Sequence, residues 1–295
     1  MPDSNKNKPL SEKGRVISLN TMVEGDVFRW NLDVWHPDFR FELEEARAVI
    51  LPRTVQKEFY FFCRRFCPNV FPDYDLRFRW EGKIGAALLF TSLGVPHPRT
   101  MIFPRLGTLV DEHPHMGHQP PPLPAYPYLI KASCGGEGNY VWVIDSKAAL
   151  EACFQRLRQL ELQREFGFVV QEYIPGVDRD LRVVVIGDQV LSYWRVQPEG
   201  FLHNISRGGT VDRDSFPGLQ KRGREEVRRL CRKTGFNLAA FDLIFPKGSN
   251  APIFIEVNYT FGWAGLGGIE DYSALLNQAV AKWLADRKDQ VKGRL

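Results

Sequence analysis

Lys131 closes a short apolar run, YLIKAS, and the cluster CGGEGN follows at once with Gly135, Gly136, Glu137 and Gly138. A strand-end ammonium beside a turn rich in backbone N–H groups can hold phosphate oxygens, the turn cradling them while the lysine adds a point charge. An ordinary strand-to-strand turn would look the same, and the Gly-Lys-Ser/Thr of a P-loop is absent. Further on, side chains in PIFIEVN alternate between two faces of a strand, so Glu256 and Asn258 point the same way. The run before it, AAFDLIF, has Asp242 as its one acidic residue. If 239–246 and 252–258 pair as a hairpin centred near Ser249, Asp242 lies opposite Glu256, and Asp242, Glu256 and Asn258 bring oxygen ligands to one face. Buried carboxylates are costly unless paired or metal-bound. Either Mg²⁺ carried on nucleotide phosphates or local arginines would satisfy this set. A further hairpin over 180–196 turns at Gly187-Asp188, which pairs Leu181 with Trp194, Arg182 with Tyr193 and Asp180 with Arg195. Asp180, Arg182, Tyr193 and Arg195 then share a polar face, and Leu181, Val183, Val185 and Trp194 an apolar one. Such a hairpin can serve a site, or be an amphipathic edge with a surface ion pair.

These groups need elements to hold them. Residues 15–20 and 48–51 read as short buried strands and Thr54–Arg65 as a helix, the alternation of a small parallel α/β unit. In EGKIGAALLFTSLGVPHPRT, Ile84, Ala87, Leu88 and Leu93 share a helix face that Gly94 and Pro96 end. A helix from about Ser146 to Glu165 presents Leu150, Phe154, Leu157 and Leu160, and FVVQEYI follows as a strand. In the basic run 221–235, Val227, Leu230, Cys231 and Thr234 recur at helical spacing and leave the arginines on a solvated outer face. A helix around Leu275–Leu284 and a charged tail close the chain, and the polar leader, 1–14, is expected to be disordered.

The 295 residues are 44% hydrophobic and 25% charged, the composition of a globular chain of about two domains. No apolar run approaches the roughly 20 residues of a membrane span, and the leader lacks the apolar core of a secretory signal. A net charge of +4 gives no argument for nucleic acid. Five cysteines make no disulfide framework; Cys63 and Cys67 read as buried thiols, and a reducing cytoplasm is the expected home. Asp111, His113, His115 and His118 could bind a transition metal, but their Pro-rich spacing favours a plain surface loop.

Order along the chain adds what the pieces lack singly. Lys83, Lys131 with its glycine loop, QEYI, Asp180 and Arg182, Asn204 with Arg207-Gly208-Gly209, Asp242, and Glu256 with Asn258 together resemble an ATP-grasp protein, most closely the RimK-like amino-acid ligases. The resemblance runs from about Ala48 to Gly268 and is most specific in QEYIPGVDRDLRVVVIGDQV, NISRGG and FDLIF…IFIEVN. It implies an ATP-grasp fold of the α/β class with α+β subdomains. A small N-terminal α/β pre-ATP-grasp domain would cover 15–80, a central lid subdomain 81–170 and a C-terminal subdomain 171–295.

The same resemblance assigns roles. Lys83 and Lys131 would touch ATP phosphates, with Gly135, Gly136, Glu137 and Gly138 as the loop over them. Gln171, Glu172, Tyr173 and Ile174 look like the hinge strand whose backbone binds the adenine edge, and Asp180 like the ribose-side acid. Arg182 resembles an arginine near the γ-phosphate and acyl phosphate, with Arg195 and Arg207 as further catalytic cations. Asn204 sits at a nucleotide- and metal-side position; Asp242, Glu256 and Asn258 match ligands of two Mg²⁺ ions, for which Mn²⁺ could substitute. The substrate would lie near Leu202, Gly208, Gly209, Tyr259 and Gly262. Leu202 stands where relatives place an arginine, Tyr-Thr-Phe-Gly replaces the more usual Ala-Ser-Pro-Gly after Asn258, and Tyr140 replaces a second glycine, which should stiffen the lid. The implied reaction turns a carboxylate into an acyl phosphate, which an amine then attacks. Its partners would be an amino acid or other carboxylate and an amine on a small molecule or a protein end. A phosphotransferase and a nucleotide-binding scaffold are the alternatives, and oligomeric state stays open.

Overall fold

The structure is a computed structural model that describes residues 14–30, 36–109, 122–135, 139–196 and 209–292. Its first unit is a parallel sheet built from β1 (Val16–Ser18), β2 (Val27–Phe28), β3 (Ala48–Ile50) and β4 (Val70–Phe71), in the order β2-β1-β3-β4. Helices α1 (Pro37–Glu45) and α2 (Lys57–Phe66) link its later strands. β1 and β3 are buried throughout, as continuous apolar runs in a covered parallel sheet must be. Helix α2 begins three residues later than the pattern predicts and buries Tyr60 and Cys63. Cys63 and Cys67 are both fully buried, and burial pushes the Cys63 thiol up to about 12.

A short α3 (Asp75–Arg79) leads into α4 (Gly82–Leu93), which Gly94 ends in the left-handed region, φ +64°. The buried face of α4 is Gly85, Ala86, Ala87, Leu89 and Phe90, whereas Leu88 is exposed. Nearly every residue of this helix is apolar, so spacing alone could not choose the face. Next come β5 (Thr100–Phe103), β6 (Tyr128–Ala132), β7 (Val141–Ile144), α5 (Lys147–Leu162) and β8 (Phe168–Glu172). The strands form an antiparallel sheet in the order β5-β8-β6-β7. Ser146 caps α5, its hydroxyl accepting from the Ala149 N–H at 3.2 Å. Leu157 and Leu160 join Ile130 and Phe168 in a separate core under this sheet.

The last sheet runs β11-β10-β9-β12-β13. It comprises β9 (Arg179–Ile186), β10 (Gln189–Val196), β11 (Thr210–Asp212), β12 (Leu238–Ile244) and β13 (Ile253–Asn258), with α6 (Pro217–Thr234) before β12 and α7 (Ile269–Lys292) at the end. The β9/β10 register is the predicted one, Leu181 against Trp194 and Asp180 against Arg195. One face, with Leu181, Val183, Trp194, Phe241 and Leu243, meets α4 and α6 in a shared core. The opposite face is polar only near Asp180 and Arg182. Farther along, Val184, Ile186 and Ala240 pack with α7 and the first unit, so the expected polar face turns apolar within two residues. Among the described residues no helix is long and apolar enough to cross a membrane.

Candidate active site

The central feature is a row of side chains directly across four strands. Tyr193 stands opposite Arg182, Arg182 opposite Asp242, and Asp242 opposite Glu256. Arg182 grips Asp242 with two hydrogen bonds, Nε to Oδ1 and Nη2 to Oδ2, both at 2.8 Å. One step along, Arg195 grips Asp180 in the same bidentate way at 2.7 and 2.6 Å and reaches Asp242 Oδ2 at 2.9 Å. Asp180 and Asp242 are 2% and 1% exposed, so two carboxylates and two guanidiniums neutralise each other in a nearly dry site. Burial alone would raise the Asp242 pKa, but Arg182 and then Arg195 outweigh it and hold the carboxyl below its ordinary value. Asp180 goes the other way: burial raises it, and Arg195 offsets only part of that.

Asn258 Nδ2 donates to Asp242 Oδ2 at 3.0 Å, which leaves the Asn258 carbonyl oxygen as an acceptor. Asp242 Oδ2 is thus crowded by three donors while Oδ1 has one. A bulge sits beside Asp242: Leu243 pairs with Phe254, so Ile255 is the extra residue. It lets Ile255 and Glu256 both line the cleft, which strict alternation would forbid.

The facing wall comes from the middle sheet. Tyr128, Ile130 and Ala132 point into its core, so Leu129 and Lys131 point out, beside Val141, Val169 and Gln171 of the paired strands. Burial lowers the Lys131 pKa to about 8, with Glu256 opposing and Lys83 assisting. Lys83, at the start of α4, donates to the Cys134 and Gly135 carbonyls at 3.3 and 3.1 Å and so ties the helix to the glycine turn. Its pKa is also lowered by burial, against the pull of Glu256. Gly135 has φ +80°, and a Cβ there would meet the Tyr140 ring at 2.7 Å. Tyr140 is itself left-handed, φ +58°, and closes against the turn.

Between these walls lies a cleft of about 600 Å³. Lys83, Lys131, Gln171, Glu172, Tyr173, Ile174, Asp180, Arg182, Arg195, Asp242, Glu256, Asn258 and Gly262 all line it. Leu129, Val169, Val177, Ile244, Ile255 and Phe90 give the cleft apolar lining, beside Tyr173 and Ile174. Tyr259 corrects an expectation. Its ring turns away into the core, 6.1 Å from Tyr74 and 5.9 Å from Phe236, because it follows Asn258 on the opposite side of the chain. Gly209 does not line the cleft either. Gly136, Glu137, Gly138, Leu202, Asn204, Arg207, Gly208 and the loop with Asp111, His113, His115 and His118 lie outside the described residues. Arg53 and Trp263, which the sequence reading missed, do line the cleft.

Among the described residues no three His, Cys, Asp or Glu side chains gather as a metal cage. Glu256, Asp242 Oδ1 and the Asn258 carbonyl oxygen instead make a partial oxygen set. That suits a hard cation that brings phosphate and water oxygens of its own.

Residues 109–281 match the family model described as the RimK-like ATP-grasp domain. Tetrahydromethanopterin:alpha-L-glutamate ligase of Methanocaldococcus jannaschii is 29% identical over 147 residues, 47% of this chain and 46% of that protein. The chain therefore spans less than half the length of this curated relative. A RimK domain ATP-grasp protein from Sphaerobacter thermophilus superposes with a TM-score of 0.55 at 15% identity, over 79% of this chain and 80% of that one. D-alanine–D-alanine ligase from Bacillus anthracis, complexed with ATP, superposes with a TM-score of 0.58 at 14% identity, over 90% and 87%. At such identities these are likenesses of fold, and the fold is ATP-grasp, mixing helices with three sheets.

Proposed function

The chain belongs to the RimK-like ATP-grasp family, and from that premise we propose that it is a Mg²⁺-ATP-dependent carboxylate–amine ligase. The observation that carries this reading is the single cleft with Lys83 and Lys131 on one wall and Glu256, Asp242 and Asn258 on the other. A relative named as a glutamate ligase and a structural neighbour named as a D-alanine–D-alanine ligase support it.

ATP, when bound, supplies the phosphoryl group that turns a carboxylate into an acyl phosphate. The chain's own residues hold and shield that chemistry. The apolar lining of the cleft takes the adenine, with the backbone of Gln171–Ile174 at its edge. Lys83 and Lys131 take phosphate oxygens: burial has stripped their ammonium groups of water and lowered their proton affinity, and a bound anion would offset that loss and favour the charged form. Glu256, Asp242 and Asn258 would hold Mg²⁺ through their side-chain oxygens. Arg182, fixed by Asp242, offers positive charge to the transferring group without having to reorganise. Arg195 acts through Asp242 and Asp180, holding both carboxylates in place. Asp180, expected at the ribose, is so enclosed by Arg195 that we assign it this positioning role first. Gly135, tied to α4 by Lys83 and closed over by Tyr140, stands beside the lysines at the start of the glycine turn and helps to exclude water there. The buried free thiols fit a reducing cytoplasm.

The test is ADP release screened over pairs of amino acids, with mass spectrometry of the product. A ligase releases ADP only when acid and amine are both present and yields their amide. A phosphorylated product from one substrate alone would make it a phosphotransferase, and ATP binding without release under any pair would make it a scaffold.

A further inference from the structure

Arg53 follows directly on the carboxyl end of β3, after Leu51 and Pro52. The parallel sheet runs β2-β1-β3-β4, so the strands that follow β1 are laid on opposite sides of it. Connections part at such a point, and open parallel sheets take ligands in the crevice left at the carboxyl ends of the strands. Arg53 stands on that rim and lines the same cleft as the phosphate-side lysines.

Its guanidinium is clamped. The central carbon lies 4.7 Å from the Trp263 ring centroid and 5.7 Å from those of Phe261 and Tyr272, and Nη1 donates to the Phe261 carbonyl. Among the described residues Arg53 forms no ion pair, while the other two arginines of the cleft are matched, Arg182 by Asp242 and Arg195 by Asp180 and Asp242. A half-buried arginine held by aromatic faces, with spare donors and no carboxylate partner among the described residues, is prepared for an anion from outside the protein.

We propose that Arg53 binds a free carboxylate of a substrate, one that the reaction does not consume, and so sets specificity from the first unit. A carboxylate fits better than a phosphate because Lys83 and Lys131 already serve phosphates from the other wall, and a flat fork against an aromatic face matches a flat anion. The group belongs either to the amine acceptor or to a second carboxyl of the donor; the chemistry is the same. The kinetic consequences rest on the ligase reading, but the binding itself does not.

The test uses the full chain saturated with Mg²⁺ and a non-hydrolysable ATP analogue. Glutarate is titrated while following the fluorescence change that Trp263 contributes, identified by its loss in Trp263→Phe. A saturable signal with a Kd on the order of millimolar is expected, weakened about tenfold or more in Arg53→Gln and absent with the neutral diamide glutaramide. No glutarate response in the wild type, an unchanged one in Arg53→Gln, or an equal response to glutaramide overturns the proposal. With an active substrate pair, the donor's spare carboxyl and the acceptor's carboxyl are converted to amides in separate arms. Arg53→Gln should raise the KM of one substrate about tenfold or more, leave the KM for ATP within about twofold, and add nothing to the loss already caused by amidating that substrate. Equal losses for acid and amide would mean a merely structural role and also overturn it. Glutarate binding without any ADP release would sink the ligase reading alone.

Discussion

Replacing Lys131 by methionine should stabilise the free protein at neutral pH while removing its hold on ATP. Burial dominates the lowering of its pKa from 10.5 to about 8, since Glu256 recovers only part of what desolvation takes and Lys83 adds to the loss. A fall of that size corresponds to about 3 kcal/mol of destabilisation. The residue as a whole keeps some contact with solvent, so about 1–3 kcal/mol is the working range. Between pH 8 and 10.5 the unfolded chain still holds the proton that the folded chain has released. The cost is therefore full below pH 8 and disappears as pH rises through 10.5. Cys63 and Cys153, both buried, and half-buried Cys231, all pushed up to about 12, drain stability above about pH 9 in wild type and variant alike, so they cancel in the difference. Urea denaturation at pH 7 and pH 9.5 reads that difference, and the variant's advantage should shrink by about half at the higher pH. Calorimetry with an ATP analogue should show binding weakened at least tenfold, about 1.4 kcal/mol. A variant less stable than wild type at pH 7, an advantage indifferent to pH, or unchanged nucleotide affinity would refute the reasoning.

Two further outcomes are expected. Glu256→Gln keeps the side chain's size, so its urea midpoint should match wild type while ADP release across a Mg²⁺ titration falls about a hundredfold or more; a wild-type response to Mg²⁺ would remove Glu256 from the metal site. Arg195→Met strips Asp180 of two hydrogen bonds and should cost about 3–5 kcal/mol by denaturation, most of which Asp180→Leu combined with Arg195→Met should restore; a single variant as stable as wild type would mean that the buried pair holds nothing together.

What was legible in the sequence follows from how local each signal is. The 180–196 hairpin register rested on one tight turn and alternation, and both are enforced within the hairpin itself. Asp242 against Glu256 came out for the same reason, but the bulge at Ile255 left no mark in the pattern, since an apolar residue there suits either face. The buried face of α4 was misread because an almost wholly apolar helix carries no period. The two-residue strands β2 and β4 escaped notice because too few residues alternate to be recognised. Tyr259 was placed in the site by analogy, whereas the strand's own alternation after Asn258 sends it to the core.

The two readings open for Asp242 turn out not to compete. Arginines do satisfy it, yet together with Asn258 they set three donors on Oδ2 against one on Oδ1, so the contacts that neutralise it leave Oδ1 the less crowded oxygen. That has a consequence for the missing arginine at position 202. Arg195 already spends its Nε and Nη2 on Asp180 and Asp242, so beyond Nη1 it does not keep a free fork edge with which to grip a substrate carboxylate. Arg53 does, and it reaches the cleft from a strand end more than 200 residues away from the Phe261 carbonyl that holds it. No spacing rule connects those positions; the packing of the first unit against α7 and the segment after β13 brings them together. Substrate recognition in this chain should therefore respond to changes in the first unit that leave nucleotide binding untouched, a separation that the KM values of Arg53→Gln and the calorimetry of Lys131→Met would expose from opposite sides.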